Sequence, residues 1–219
     1  HNCKAGYVGT LDPLASGFLP IALGKSTKTI KYLSDYYKEY VFEVTWGMHS
    51  STGDLEGEIK KYNKIYPSSE QIKNIIKNFI GDYYQVPHKF SSKKVNGKKA
   101  YEFARKKIHI DLKKEKKKIS DLKIINQISE SKTFFYIKCS SGTYIRSLAE
   151  DMAKALNTFG LVSSLRRVGF GNLDKKLISL DYLMSLVHIE CFLSVLKPIE
   201  KVFKEFNEIH LDMNEFALI

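Results

Sequence analysis

The sequence has no apolar run that approaches the roughly 20 residues of a membrane-spanning helix. Cysteine is scarce: Cys3, Cys139 and Cys191 lie far apart and form no Cys-x-x-Cys pair. This spacing argues against a disulfide framework and against a zinc site, and it predicts reduced thiols in a cytoplasmic protein. The chain begins at His1 without a signal-like segment. No motif for a metal, redox or nucleotide cofactor is present, so we expect no cofactor.

Positive charge is in excess, with 35 Lys and Arg against 24 Asp and Glu and a formal net charge of +11. Such an excess favours a polyanionic partner, because neutralising phosphates releases counterions. It does not distinguish RNA from DNA or from an anionic membrane. Most of it lies in residues 82–123, which hold 14 Lys or Arg against 5 Asp or Glu. Aromatic residues interleaved there suit base stacking, although a solvated surface is the simpler alternative.

The length of 219 residues, 43% of them hydrophobic, predicts one domain or one domain with a small appendage. Alternating and apolar patterns predict strands at 38–47, 108–112, 119–128 and 134–139. Helical spacing predicts helices at 26–34, from 67 to 81, and from 145 onward. The lysine-rich run at 113–118 is typical of an exposed turn. Several strands interrupted by a few helices predict an α+β fold with one extended sheet.

One stretch near the start, residues 6–24 (GYVGTLDPLASGFLPIALG), places a single acid among apolar residues. Pro13 fixes its own φ and biases Asp12 toward an extended backbone. Gly9 and Gly17 permit tight turns on either side. An ordinary Asp-Pro turn is the simplest alternative. We interpret Asp12 as a positioned carboxylate rather than a solvated one.

This stretch resembles the signature loop of the TruB family of tRNA pseudouridine synthases, close to GHxGTLDPLAxGxLPxxLGxATK. Tyr7 stands where many members have a histidine that contacts RNA. Further family blocks are similar to residues 85–105 (QVPHKFSSKKVNGKKAYEFAR), 142–156 (GTYIRSLAEDMAKAL) and 161–173 (LVSSLRRVGFGNL). The resemblance covers roughly residues 6–180. Members usually carry an additional amino-terminal strand before the signature loop, which this sequence lacks.

The resemblance implies a mixed, mostly antiparallel central sheet flanked by helices, with the site in a cleft. Asp12 would be the covalent nucleophile, attacking either the ribose or the base. Tyr40 would stack on the flipped uracil and offer its hydroxyl for proton transfer at carbon 5, although its position in a strand also fits a core aromatic. Arg146 would pair with Asp12 and favour its charged form despite burial. The implied substrate-binding residues are Leu165, Tyr144, Lys28, Lys94, Tyr7 and Asp54.

The position of Arg146 carries a separate argument. It falls in the first turn of the predicted helix that begins at Ile145, at the positive end of the helix dipole. An arginine there is unfavourable unless an anion faces it, so we expect an acidic partner. An arginine on the protein surface is the ordinary alternative.

Residues 1–180 are predicted to form the catalytic domain, and 181–219 a linker and the incomplete start of a small RNA-binding domain. We expect a monomeric tRNA pseudouridine synthase that acts on a flipped-out uridine of the T-loop, uridine-55, without metal or membrane. The alternatives are a non-catalytic RNA-binding or tRNA chaperone module, and a relative that modifies ribosomal RNA with a guide RNA. A basic hydrolase is the least supported, because no second acid or Ser, His or Cys partner is near Asp12 in the sequence.

Overall fold

The computed structural model describes residues 3–62, 66–186 and 189–203. Within them the strands are β1 (Ala5–Tyr7), β2 (Ala15–Gly17), β3 (Ile21–Leu23), β4 (Lys38–Trp46), β5 (Met48–Ser50), β6 (Ile59–Lys61), β7 (Gly81–Gln85), β8 (Lys94–Val95), β9 (Lys98–Lys99), β10 (Glu115–Ser129), β11 (Lys132–Cys139) and β12 (Gly160–Phe170). The helices are α1 (Ile30–Leu33), α2 (Ser69–Ile76), α3 (Ala100–Arg105), α4 (Ile145–Ala155), α5 (Leu180–Ser185) and α6 (Ile189–Ser194). Short 3₁₀ helices lie at Gly24–Thr29, Lys77–Phe79 and Ile199–Lys201.

The main sheet of the described chain has the strand order β2-β12-β4-β11-β10-β7. The pairing of β2 with β12 is parallel, and the other four pairings are antiparallel. This arrangement confirms the predicted α+β class with a mixed, mostly antiparallel sheet. It also brings the signature loop, which ends in β2, beside the long strand β12.

The core lies on one face of this sheet. Alternate residues of β4, among them Phe42, Val44 and Trp46, are fully buried there. They belong to one cluster with Leu148 and Met152 of α4. Burying such apolar side chains supplies the main driving force for folding, and it fixes the start of α4 relative to the sheet.

The helix predicted from residue 67 is present as α2. Its start carries the expected capping box: the Ser68 hydroxyl accepts from the Gln71 backbone, and the Gln71 side chain accepts from the Ser68 backbone. The α-helix ends at Ile76 and continues as the 3₁₀ helix Lys77–Phe79. Gly81 then adopts φ +97°, a conformation that favours glycine.

Two local predictions are wrong. Residues 108–114 form no strand, although 108–112 has an alternating pattern. Most residues of the run at 113–118 are exposed, as expected, but the run is not a turn, because β10 begins at Glu115 and pairs with β7. Ion pairs make the lysines compatible with a strand. Across the strands, Lys116 Nζ lies 2.7 Å from Asp82 Oδ2, and within β10 Lys117 Nζ lies 2.9 Å from Glu115 Oε2.

The chain divides into two compact units, residues 1–171 and 172–219. This division lies before the boundary predicted at residue 180. The second unit contains α5, whose first turn is capped by the Ser179 hydroxyl, and α6. The prediction that residues 181–219 begin an RNA-binding domain falls partly on 204–219, which lie outside the described residues, as does the Cys191 side chain. Cys3 and Cys139 are free thiols.

Candidate active site

The loop that carries Asp12 runs between β1 and β2. Gly9 and Gly17 adopt φ angles of +71° and +100°, which a residue with a Cβ rarely adopts. Within the loop, the Ala15 backbone N–H donates to the Asp12 carbonyl at 2.8 Å. The strand that follows pairs with β12. The turn thus holds the Asp12 backbone in a fixed place at the edge of the main sheet.

The guanidinium of Arg146 meets the Asp12 carboxylate. Its Nε donates to Asp12 Oδ2 at 2.9 Å. Its Nη1 donates to the carbonyl of Thr52 at 3.0 Å and lies 3.2 Å from Asp54 Oδ2, while its Nη2 donates to the carbonyl of Phe90 at 3.0 Å. One arginine therefore joins four segments of the chain: the signature loop, the segment after β5, the segment after β7, and α4.

The two carboxylates on this arginine differ in exposure. The Asp54 side chain is only 1% exposed, and its Oδ1 accepts hydrogen bonds from the Glu56 backbone and the Thr52 hydroxyl. The Asp12 side chain is 30% exposed. Asp54 has the contacts of a residue that holds Arg146 in place, whereas Asp12 has an open side toward solvent. Of the two, Asp12 is the carboxylate that a substrate can reach.

Gln85 fixes the start of α4. This fully buried side chain donates from Nε2 to the Tyr144 carbonyl at 2.9 Å and accepts at Oε1 from the Tyr144 backbone N–H at 2.8 Å. Because Tyr144 is the residue just before α4, β7 holds the first turn of the helix and with it Arg146. The arginine at the positive helix end thus faces the acidic side chains of Asp12 and Asp54, as the sequence argument expected.

Tyr40 and Leu165 come from adjacent strands of the sheet. Tyr40 of β4 lies opposite Arg167 of β12, and Leu165 lies opposite Ala15 at the end of the signature loop. Burial raises the pKa of the Tyr40 hydroxyl to about 12, and the negative charge of Asp12 contributes in the same direction. Tyr40 therefore keeps its proton at neutral pH.

The remaining predicted residues occupy different places. Tyr144 is the residue just before α4, two positions from Arg146, and burial raises the pKa of its hydroxyl. Tyr7 is 55% exposed, and Lys28 and Lys94 are exposed. The structure records no contact of these three with the Asp12–Arg146 pair. Any role in substrate binding would come from their position on the surface.

Two charged residues of this region, Arg167 and Lys38, were not among the site residues that the sequence analysis named. Arg167 is fully buried and donates to the carbonyls of Phe18 and Gly9. The ammonium of Lys38 donates to the Ser141 hydroxyl at 2.8 Å, and burial, followed by the charge of Arg167, lowers its pKa to about 8. Long-range strand pairing creates both environments. In the sequence, the only indication of these two buried charges was a charged residue at an inward-facing position of a strand.

Within the described ranges, no cluster of three or more His, Cys, Asp or Glu side chains could hold a metal ion. In the same part of the chain, none of the helices has the length and apolar character that crossing a membrane requires.

Comparison with protein families gives one match that covers most of the first unit. The model of the TruB family pseudouridylate synthases (amino-terminal domain) matches residues 1–145. The chain belongs to the TruB family. The match ends just before Arg146, so the contact between Arg146 and Asp12 is an observation that is separate from it.

The TruB relatives include tRNA pseudouridine synthase B of Ehrlichia canis (strain Jake), 40% identical over 217 residues, which cover 98% of this chain and 72% of that protein. The protein of the same name from Brucella ovis is 46% identical over 165 residues, 75% of this chain and 51% of that protein. The protein of the same name from Caulobacter vibrioides is 40% identical over 198 residues, which cover 90% of this chain and 64% of that protein. This chain thus spans between about half and three quarters of these relatives' length.

Solved structures with the same fold include a Cbf5-Nop10-Gar1 complex, in which the matching chain has a TM-score of 0.64 and 26% identity. An H/ACA RNP bound to a substrate RNA containing 2′-deoxyuridine matches with a TM-score of 0.63 and 25% identity. Both cover 90% of this chain and about half of the matching chain, 52% and 51%.

Proposed function

We propose that this chain is a tRNA pseudouridine synthase that isomerises a flipped-out uridine of the T-loop, uridine-55. The observation that carries the proposal is the contact between Arg146 Nε and the accessible carboxylate of Asp12 at 2.9 Å. TruB membership and relatives named tRNA pseudouridine synthase B at 40–46% identity support the choice of tRNA as substrate.

The reaction is an isomerisation, so it needs no redox partner. The bond between ribose C1′ and uracil N1 breaks, and a bond between C1′ and C5 forms. The proton on C5 is lost to solvent, and N1 of the product carries a proton taken from solvent. The site must therefore supply a nucleophile, retain the detached base and move a proton at C5.

The three catalytic residues divide these tasks. Asp12 acts as the covalent nucleophile, on the ribose or on the base. Arg146 donates from Nε to the Asp12 carboxylate at 2.9 Å and holds it in place. Tyr40 keeps its hydroxyl proton at neutral pH, since burial raises its pKa to about 12. It can stack on the uracil and mediate proton transfer at C5.

In this proposal the base would lie between the main sheet and α4. Leu165 is buried beside the end of the signature loop and would close the apolar side of the pocket. Tyr144 borders the site at the start of α4. An apolar wall with a few polar groups is the usual lining of a small-molecule pocket, and it suits an uracil that has left its ribose.

A basic hairpin next to the site would grip the RNA backbone. The segment after β7 reaches Arg146 through the Phe90 carbonyl and then leads into the hairpin β8–β9. Lys94, Lys98 and Lys99 of this hairpin are exposed. Lysines bind phosphates as point charges, and a nucleotide extruded from its stack needs such contacts to stay in the pocket. Lys28 and Tyr7, which are also exposed, would provide further contacts with the RNA.

The test uses an unmodified tRNA transcript with tritium at uridine C5. The wild type should release tritium to water, and mapping the product should place pseudouridine in the T-loop. The Asp12→Asn variant should retain the label, since an amide is a poor nucleophile.

Each other outcome contradicts a part of the proposal. Tight tRNA binding without tritium release by the wild type would indicate a non-catalytic RNA-binding module. Release only in the presence of a guide RNA and ribosomal RNA would favour the guide-dependent alternative. Release by Asp12→Asn at the wild-type rate would remove Asp12 from its role.

A further inference from the structure

Arg167 lies beneath the loop that carries Asp12 and is bonded to both ends of it. The side chain is 0% exposed. Its Nε donates to the Phe18 carbonyl at 2.6 Å, and its Nη2 donates to the Gly9 carbonyl at 2.9 Å. Asp12 lies between these two residues. A single guanidinium therefore fixes the separation of the loop's two ends.

The backbone of Arg167 holds the same loop. The Phe18 N–H donates to the Arg167 carbonyl at 2.8 Å, and Arg167 lies opposite Gly17 in the parallel pairing of β12 with β2. A Cβ on Gly17 would collide with that carbonyl. A Cβ on Gly9 would come within 3.1 Å of Arg167 Nη1. The loop is therefore packed closely against Arg167 at both ends, and neither glycine accepts a Cβ without a shift of its neighbours.

Arg167 also faces Tyr40. In the antiparallel pairing of β12 with β4 the two residues are direct neighbours. Burial raises the pKa of Tyr40, and a hydrogen bond and the charge of Arg167 act against that rise. The same arginine thus donates to the loop that carries Asp12 and lies directly opposite Tyr40 in the sheet.

We propose that Arg167 is a positioning residue that sets the distance between the Asp12 carboxylate and the Tyr40 hydroxyl. This inference rests on the proposed function, in which those two groups act on one nucleotide. Arginine suits the task because its five donors form a rigid planar fork, whereas the ammonium of lysine is a point charge on a flexible stem. Burying a guanidinium among backbone carbonyls is costly, so simple packing would be better served by an apolar side chain.

The first test is Arg167→Lys, which keeps the positive charge but removes the planar set of guanidinium donors. We expect kcat for tritium release from tRNA to fall by about 10²-fold, because misplacing a reacting group by about 1 Å has an effect of that size. The dissociation constant for tRNA, measured separately, should stay within about twofold. Arg166→Lys is the matched control: Arg166 is exposed on the same strand and bonds the Ser16 hydroxyl at 3.2 Å. Its kcat should stay within about twofold of the wild type.

A second pair of variants changes the loop side of the same contact and leaves Arg167 itself in place. These variants therefore test the inference even if Arg167→Lys fails to fold. Gly9→Ala pushes a methyl group toward the Arg167 guanidinium and should also lower kcat with little change in tRNA affinity. Gly81→Ala controls for backbone strain, because Gly81 has a similar φ of +97° and no atom within 4 Å of its added Cβ. Its kcat should remain that of the wild type.

The outcomes separate this inference from the proposed function. If the wild type releases tritium and Arg167→Lys keeps its kcat per folded molecule, the positioning role is refuted. Loss of tRNA affinity with kcat unchanged also refutes it and indicates a binding role. If the wild type releases no tritium from any tRNA, the proposed function itself fails, and the positioning role fails with it.

Discussion

Replacing Arg146 with methionine removes the guanidinium that contacts both Asp12 and Asp54. In the wild type the guanidinium pairs with Asp54, which is 1% exposed, and donates to the carbonyls of Thr52 and Phe90. Arg146→Met leaves the Asp54 charge buried without its cationic partner. Breaking a buried ion pair in this way costs about 3–5 kcal/mol of the free energy of unfolding.

Thermal and urea unfolding of the purified chain measure this cost. A loss of about 3–5 kcal/mol corresponds to a fall of roughly 6–20 °C in Tm for a domain of this size. The control Arg166→Met changes an exposed arginine and should alter stability by no more than about 0.5 kcal/mol. Adding Asp54→Asn to Arg146→Met should recover part of the loss, because the orphaned buried charge is then gone.

Two results would refute this reasoning. One is a loss below about 1 kcal/mol for Arg146→Met, the level typical of an exposed ion pair. The other is further destabilisation by Asp54→Asn in the Arg146→Met background, which would mean that groups other than Arg146 contribute most of the stabilisation of the Asp54 charge.

Three more changes test the surrounding residues. In steady-state tritium release, Tyr40→Phe should lower kcat by about 10²–10⁴-fold with little change in tRNA affinity. This is the effect expected for loss of a proton-transfer group. Folding lowers the pKa of Lys38 from 10.5 to about 8. Between these two pH values the unfolded chain binds a proton at Lys38 that the folded chain does not. The stability of the wild type relative to Lys38→Met should therefore rise with pH above pH 8, by up to about 3 kcal/mol in urea unfolding. Lys94→Ala should weaken tRNA binding and reduce the slope of log K against log salt by about 1, with kcat unchanged at saturating tRNA.

Local patterns in the sequence determine much of the fold. Alternation of apolar residues in β4 and β11 and the capping box at Ser68 have local causes, so they could be read directly. The run at 113–118 was misread because its compatibility with a strand depends on pairing with β7, distant in sequence. The pattern at 108–112 was misread because alternation alone cannot show whether a neighbouring strand is there to pair with.

The candidate site shows the same division. The approach of Arg146 to an acid followed from its place at a helix start, and the family resemblance named Asp12 as that acid. The catalytic and substrate-binding roles remain predictions. The part of Asp54 in holding Arg146, and the burial of Arg167 and Lys38, depend on segments that only the folded chain brings together. No local pattern contains that information.

We propose that, of the two carboxylates on Arg146, Asp12 is the nucleophile and Asp54 supports the arginine. The most direct measurement compares single-turnover tritium release by Asp12→Asn and Asp54→Asn at saturating tRNA. We predict that the rate of Asp12→Asn falls below about one thousandth of the wild-type rate while its tRNA affinity is kept, and that the rate of Asp54→Asn stays within about tenfold of the wild type. Release by Asp12→Asn that equals or exceeds that of Asp54→Asn would contradict it.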